Sequence, residues 1–122
     1  MIYGDTDFIL ALIKKKDWLK KDAEKIHSEF EDEILISTTT LTELMLLAEK
    51  IDYDPRELLA AALEIAKIVD GDSESYFMAC EYMKRYGLNV FDALHLAKCN
   101  GRIISSDKKF IGIPGLEVIK LV

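Results

Sequence analysis

The chain has 122 residues, half of them hydrophobic and 31% charged, with a formal net charge of −6. This length and balance suit one soluble domain, residues 1–122, with a real core. No apolar run approaches the roughly 20 residues a membrane helix needs. The acidic balance argues against phosphate binding unless divalent ions neutralise some carboxylates and turn the site locally positive.

Met1 to Tyr3 reads as a short apolar strand, and Thr6 to Lys16 carries a helical apolar pattern. Lys14, Lys15, Lys16, Lys20 and Lys21 form a basic run, read as a solvated helix end and loop, with a substrate-facing rim as the alternative. Trp18 to Phe30 reads as a polar-faced helix with Leu19, Ile26 and Phe30 inward. Ile34 to Ser37 is a β-rich run and a second strand. Leu41, Leu44, Met45 and Ala48 recur at i, i+3, i+4 and i+7, one face of a helix. Met45-Leu46-Leu47 is more apolar than one buried face needs; it is read as core, with a partner groove as the alternative.

Pro55 opens the next helix, where a missing N–H costs little. Leu58, Leu59, Ala62, Leu63 and Ala66 give it an apolar stripe, and Ile68-Val69 fits a very short strand. Ser73 starts a helix with Tyr76, Phe77, Cys80 and Met83 on one side, and Gly87 ends it. Val90 to Asn100 is a further helix, stopped by Asn100-Gly101. Ile103-Ile104 and Leu116 to Ile119 are the last strands. Cys80 and Cys99 form no CxxC or disulfide framework and are read as reduced, core or half-buried thiols. The first residues lack a basic stretch followed by an apolar one, so a cytoplasmic protein is expected.

Strands alternating with helices predict an α/β fold with a parallel sheet covered on both faces. Ligands bind at the carboxyl edge of such sheets. Four acids are placed there. Asp5 follows the first strand, Glu43 lies in the first turn after the second, Asp92 opens the Val90 helix, and Asp107 follows Ile103-Ile104. Each has a bland explanation. Asp5 suits a helix cap, Thr40-Leu41-Thr42-Glu43 matches a capping box, Asp92 suits a helix dipole, and Asp107 suits a turn. Gathered together, however, carboxylates repel one another and call for a hard divalent cation such as Mg²⁺ or Mn²⁺. His95 shares a helix face with Asp92 and is read as a core or supporting histidine. No Gly-rich phosphate loop, HExxH or GxSxG occurs.

Taken in order, Ile2-Tyr3-Gly4-Asp5-Thr6-Asp7, Leu41-Thr42-Glu43-Leu44, Asn89-Val90-Phe91-Asp92-Ala93-Leu94-His95-Leu96-Ala97 and Ile104-Ser105-Ser106-Asp107 resemble the PIN-domain family over essentially the whole chain. The resemblance implies a three-layer α/β/α sandwich with a central parallel β-sheet and Mg²⁺- or Mn²⁺-dependent hydrolysis of RNA. It carries catalytic roles to Asp5, Glu43, Asp92 and Asp107, direct metal ligation to Asp5 and Asp92, ligation directly or through water to Asp107, and supporting roles to Thr6 and Ser105. Asp7 stands where the family often has Asn or Ser, and is read as filling the same hydrogen-bonding role or as a fifth acid. Compact members are similar to the VapC toxins of toxin–antitoxin pairs, which implies a homodimer and an antitoxin that occludes the site. Three rivals stand beside this reading: a haloacid-dehalogenase-like phosphatase using Asp5 and Asp7, a two-component receiver domain, and a PIN-like RNA-binding or RNA-processing module without a toxin role.

Overall fold

A computed structural model describes residues 1–69 and 71–121. In chain order the elements are β1 (Ile2–Gly4), α1 (Thr6–Ile13), α2 (Lys20–Phe30), β2 (Ile34–Ser37), α3 (Thr38–Ile51), α4 (Pro55–Ile65), β3 (Lys67–Val69), α5 (Ser73–Tyr86), α6 (Val90–Lys98), β4 (Arg102–Ser105) and β5 (Glu117–Lys120). Single 3-10 turns precede β2 and follow β4. The five strands form one parallel sheet in the order β3-β2-β1-β4-β5.

Residue alternation along each strand divides the core into two layers. Ile2, Ile34, Ile36 and Ile104 point into a cluster with Phe8, Ile9, Leu44 and Leu58, which belongs to α1 through α4. Tyr3 and Ile103 point the other way, into Ala93, Leu94, Leu96 and Phe110 under α5 and α6. The strands are therefore apolar on both faces, as a sheet with helices on each side requires. The expected three-layer α/β/α architecture is what the chain adopts. Gly4 ends β1 where a side chain cannot fit, since a Cβ there would lie 2.9 Å from the Phe8 ring.

Several expectations need correction. Helix α1 stops at Ile13, not Lys16, because Lys14 turns extended and Lys20 Nζ donates to the carbonyls of Leu12 and Lys14 at the helix end. Helix α2 starts at Lys20, leaving Trp18 in solvent. Helix α6 ends at Lys98, and Asn100 and Gly101 take positive φ beyond it. The apolar side expected for α5 is wrong: Tyr76, Phe77, Cys80 and Met83 are exposed, and the helix packs through Ala79, Tyr82 and Tyr86. Periodicity located a face correctly spaced for a helix but chose the outer of two apolar stripes. Cys80 is thus an exposed thiol, while Cys99 is buried. Met45 and Leu46 are exposed too, so core packing does not explain them; α3 packs through Leu44 and Ala48.

The strand order reverses at β1, with β2 on one side and β4 on the other. That reversal opens a crevice at the carboxyl ends of β1 and β4. A receiver domain would have the order 2-1-3-4-5, so the observed order removes that rival.

Candidate functional site

Residues immediately after β1 and β4 build the floor of the crevice. The Asp5 N–H donates to the Ile104 carbonyl at 2.9 Å and so continues the β1–β4 ladder. Its carboxylate caps α1 by accepting the Thr6 N–H at 2.8 Å, and its Oδ2 accepts the Ser105 hydroxyl at 2.6 Å. Ser105 Oγ in turn accepts the Asp107 N–H at 3.0 Å, so one hydroxyl ties the two strand-end acids together. Asp107 also caps the 3-10 turn by accepting the Lys109 N–H. Asp7 Oδ2 accepts both the backbone N–H and the hydroxyl of Ser106, whereas its Oδ1 is buried without a hydrogen-bond partner among the described residues.

Helices α3 and α6 bring the remaining acids. Asn89 caps α6 by accepting the Asp92 N–H at 2.8 Å, which sets Asp92 in the first turn as expected. Glu43 is not where the capping-box pattern put it. Helix α3 starts earlier, capped by Ser37 with Thr40 completing the reciprocal bond, and Glu43 falls in the second turn. Its Oε1 instead accepts the Thr6 hydroxyl and lies 2.9 Å from His95 Nε2. Glu43 is therefore tied to the crevice rather than to its own helix end. Asp5, Asp7, Glu43, Asp92 and Asp107 all line one cleft of about 280 Å³, with Thr6, Leu10 and Leu47. Larger cavities elsewhere on the molecule contain none of these residues.

His95 is fully buried beneath the acids. Its Nδ1 lies 2.7 Å from the Tyr3 hydroxyl, which lies 2.7 Å from Ser37 Oγ. A proton inventory fixes the role of Nε2. The single Thr6 hydroxyl proton goes to Glu43, and an ionised Glu43 has none to give. The short Nε2–Oε1 approach therefore requires a proton on Nε2. Asp5, Glu43 and His95 have ligand-type atoms within 4.8 Å of one another, and His95 would have to give up its Nε2 proton to ligate a metal there. With that proton in place His95 acts as a donor that holds Glu43, and the carboxylate oxygens are the donors that would suit a cation.

Electrostatics agree with that division. Burial raises the pKa of Asp5, with His95 pulling it down and Asp7 pushing it up. Burial likewise raises Asp7. Asp92 is pushed up to about 6 by burial and then by the Asp107 charge. For Glu43, burial is outweighed by the hydrogen bonds from His95 and Thr6, and its pKa is lowered. For His95, burial is outweighed by the bond to Glu43 and the charges of Asp5, Glu43 and Asp92, and its pKa is raised. One histidine thus faces a surplus of carboxylates. An all-oxygen set with an unpartnered buried Asp7 Oδ1 fits a hard divalent ion, which would supply the missing positive charge.

A family model described as the PIN domain matches residues 2–116. The chain belongs to the PIN domain family. This PIN domain is also similar in fold to solved structures. A toxin–antitoxin complex from Klebsiella pneumoniae aligns with a TM-score of 0.77 at 23% identity, covering 100% of this chain and 98% of that one. VapC20 from Mycobacterium tuberculosis, described as a sarcin–ricin loop cleaving toxin, aligns at 0.71 and 19% identity over 84% and 87% of the two chains. DNA-bound VapBC from Salmonella typhimurium aligns at 0.69 and 20% identity over 100% of both. No curated protein matches in sequence. Among the described residues, no helix is long and apolar enough to cross a membrane.

The four acids expected from the sequence, with Thr6, Asp7 and Ser105, meet at this PIN-domain cleft. Tyr3, Ser37 and Ser106 were not foreseen. A buried tyrosine must find a partner for its hydroxyl, which is the signal Tyr3 offered, but its partners lie far away in sequence on β2 and α6.

Proposed function

We propose that this chain is a Mg²⁺- or Mn²⁺-dependent endoribonuclease and the toxin of a VapBC-type pair. The observation that carries the reading is the cleft itself: five carboxylates on one sheet edge, three with raised pKa, and one buried oxygen without a partner among the described residues. Family membership supports nuclease chemistry, and the toxin–antitoxin neighbours support the biological role.

In this reading Asp5, Asp92 and Asp107 hold the ion, and Glu43 completes the catalytic set. A bound divalent ion lends positive charge to the phosphoryl group and lowers the pKa of water. Ser105 fixes Asp5 and Asp107 relative to each other. Thr6 and His95 fix the Glu43 carboxylate, which orients the attacking water. Ser106 holds Asp7, whose hydrogen-bonding role fits the small polar residue it replaces. Residues 1–122 act as one nuclease domain, as a cytoplasmic homodimer whose cleft an antitoxin covers. The Asp5-Thr6-Asp7 motif could also serve phosphatase chemistry, but the PIN-family match argues for the nuclease.

Purified protein with Mn²⁺ is expected to cleave RNA, and EDTA or Asp5→Asn to abolish cleavage. Absence of cleavage by antitoxin-free protein would favour a non-catalytic RNA-binding module. Hydrolysis of p-nitrophenyl phosphate abolished by Asp7→Asn would favour the phosphatase.

A further inference from the structure

The basic run of residues 14–21 has a structure that the cleft does not explain. It holds five lysines and one aspartate in a chain of net charge −6. The loop between α1 and α2 is firmly built. Asp17 Oδ1 accepts the Leu19 N–H at 2.9 Å, Lys14 pairs with Asp17, and Lys20 Nζ clamps the carbonyls at the end of α1. Leu19 is buried in the same core cluster as Leu121, while Trp18, one residue earlier, is 82% exposed. The loop anchors on Leu19 and presents an indole to solvent. Lys15, Lys16 and Lys21 line one surface pocket with it, beside Asp17, Lys20 and Glu24; the three lysines are exposed and form no ion pair among the described residues.

Its position in the fold is also informative. The middle of α2 shares a surface pocket with Ile119 and Lys120 of β5, through Asp22, Lys25, Ile26 and Glu29. Its last residue places the Phe30 ring against Arg102, the first residue of β4. The end of α2 thus lies at the amino edge of the sheet, and the basic loop lies at the opposite end of the helix, with none of its residues in the acid cleft.

We propose that Trp18, with Lys15, Lys16 and Lys21, is a docking platform for single-stranded RNA outside the cleft. The proposal deepens the ribonuclease reading and rests on it for the identity of the strand. An exposed indole stacks on any base, and flanking lysines track phosphates without reading sequence. The platform supplies the positive charge that the cleft, lined by carboxylates, does not. A protein partner fits less well, because a stable interface buries roughly 800 Å² per partner around an apolar centre, and here one aromatic stands among charges. A membrane surface also fits less well, since anchoring needs an apolar face, and the neighbouring apolar residue, Leu19, is committed to the core.

Trp18 is the one tryptophan of the chain, so its emission reports on this loop alone. The experiment titrates the wild-type 122-residue chain in EDTA with a short single-stranded oligoribonucleotide. Tryptophan emission and the anisotropy of a labelled strand are followed together. Saturable quenching in step with anisotropy is expected. Three lysine–phosphate contacts, at a slope of about −0.7 each, predict roughly 20-fold weaker binding between about 50 and about 200 mM salt. Lys15→Glu with Lys16→Glu should weaken binding about tenfold or more, with an unchanged melting temperature. Binding without quenching, no binding, or a response only to vesicles containing an anionic phospholipid would overturn the proposal. Cleavage of RNA in Mn²⁺ is measured separately. Cleavage with a silent Trp18 would refute the platform alone, and quenching without cleavage would refute the nuclease alone.

Discussion

Asp92→Asn should stabilise the metal-free protein at neutral pH while removing a residue its proposed chemistry needs. The Asp92 carboxyl is raised from 3.8 to about 6 in the fold, by burial and then by Asp107. A raised carboxyl pKa means the folded state disfavours the charged form. The penalty is absent below the unfolded value, grows as pH rises, and is complete above the folded value. Two pH units correspond to a ceiling of roughly 3 kcal/mol. The carboxylate faces an open cleft, so solvent screening reduces this to about 1.5 kcal/mol. The neutral amide would forfeit roughly 0.5 kcal/mol of favourable interaction with the α6 dipole. The net gain of about 1 kcal/mol raises the melting temperature by roughly 4 °C for a chain of this size. Thermal melts in EDTA at pH 5 and pH 7.5 provide the assay. The Asp92 charge is one cause of the raised His95 pKa, which also favours stability at low pH, so the difference between variant and wild type reports the two groups together. The variant should melt higher at pH 7.5, and the gap should shrink at pH 5. Millimolar Mg²⁺ should raise the wild type and not the variant. A variant that melts lower than wild type at pH 7.5 in EDTA would refute the view of the cleft as a store of uncompensated charge.

Tyr3→Phe removes the hydroxyl shared by His95 and Ser37; it should cost roughly 1–3 kcal/mol in denaturant unfolding by leaving buried polar groups unpaired. His95→Ala and Glu43→Gln should lower RNA cleavage non-additively, with a coupling of about 1 kcal/mol or more in a double-mutant cycle. His95→Gln, which restores an N–H toward Glu43, should recover part of the loss, whereas full additivity would separate the two residues. Cys80 should react with a thiol reagent in the native protein, and Cys99, whose thiol is buried and bonded to the Leu96 carbonyl, only on unfolding; equal rates under native conditions would contradict the packing of α6.

Much of the fold was legible because both faces of the sheet are buried. Ile34 to Ser37 and Ile103-Ile104 could only be strands in a chain of this kind, and Pro55, Gly87 and Asn100-Gly101 marked helix ends through backbone constraints that act locally. The errors occur where tertiary contacts decide. Lys14 to Lys16 continue a helical pattern, but Lys20 takes the carbonyls at the end of α1, and the chain turns away. Helix α5 carries two apolar stripes, and which one faces α6 depends on a neighbour that periodicity does not see.

The acids show a different kind of limit. Read singly, each matched a cap or a dipole partner, and those readings competed with a metal site. In the structure local placement at a helix or turn start and placement in the cleft coincide for three of the four. Asp5 caps α1 and Asp107 caps the turn after β4, while Asp92 sits in the first turn of α6. The ends of β1 and β4 and the starts of α1 and α6 meet at one edge of the sheet, so their acids collect at the crevice where β1 meets β4. Capping orients the carboxylates, and the remaining lone pairs face one cleft. Glu43 is the exception and the more telling residue. Its local pattern pointed to a capping box, yet Ser37 and Thr40 already cap α3, and Glu43 is bound by Thr6 and His95 from two other helices. An acid that gives up a local cap for long-range partners is held there by the site, so the charge state of His95 and the position of Glu43 should respond together when either is changed.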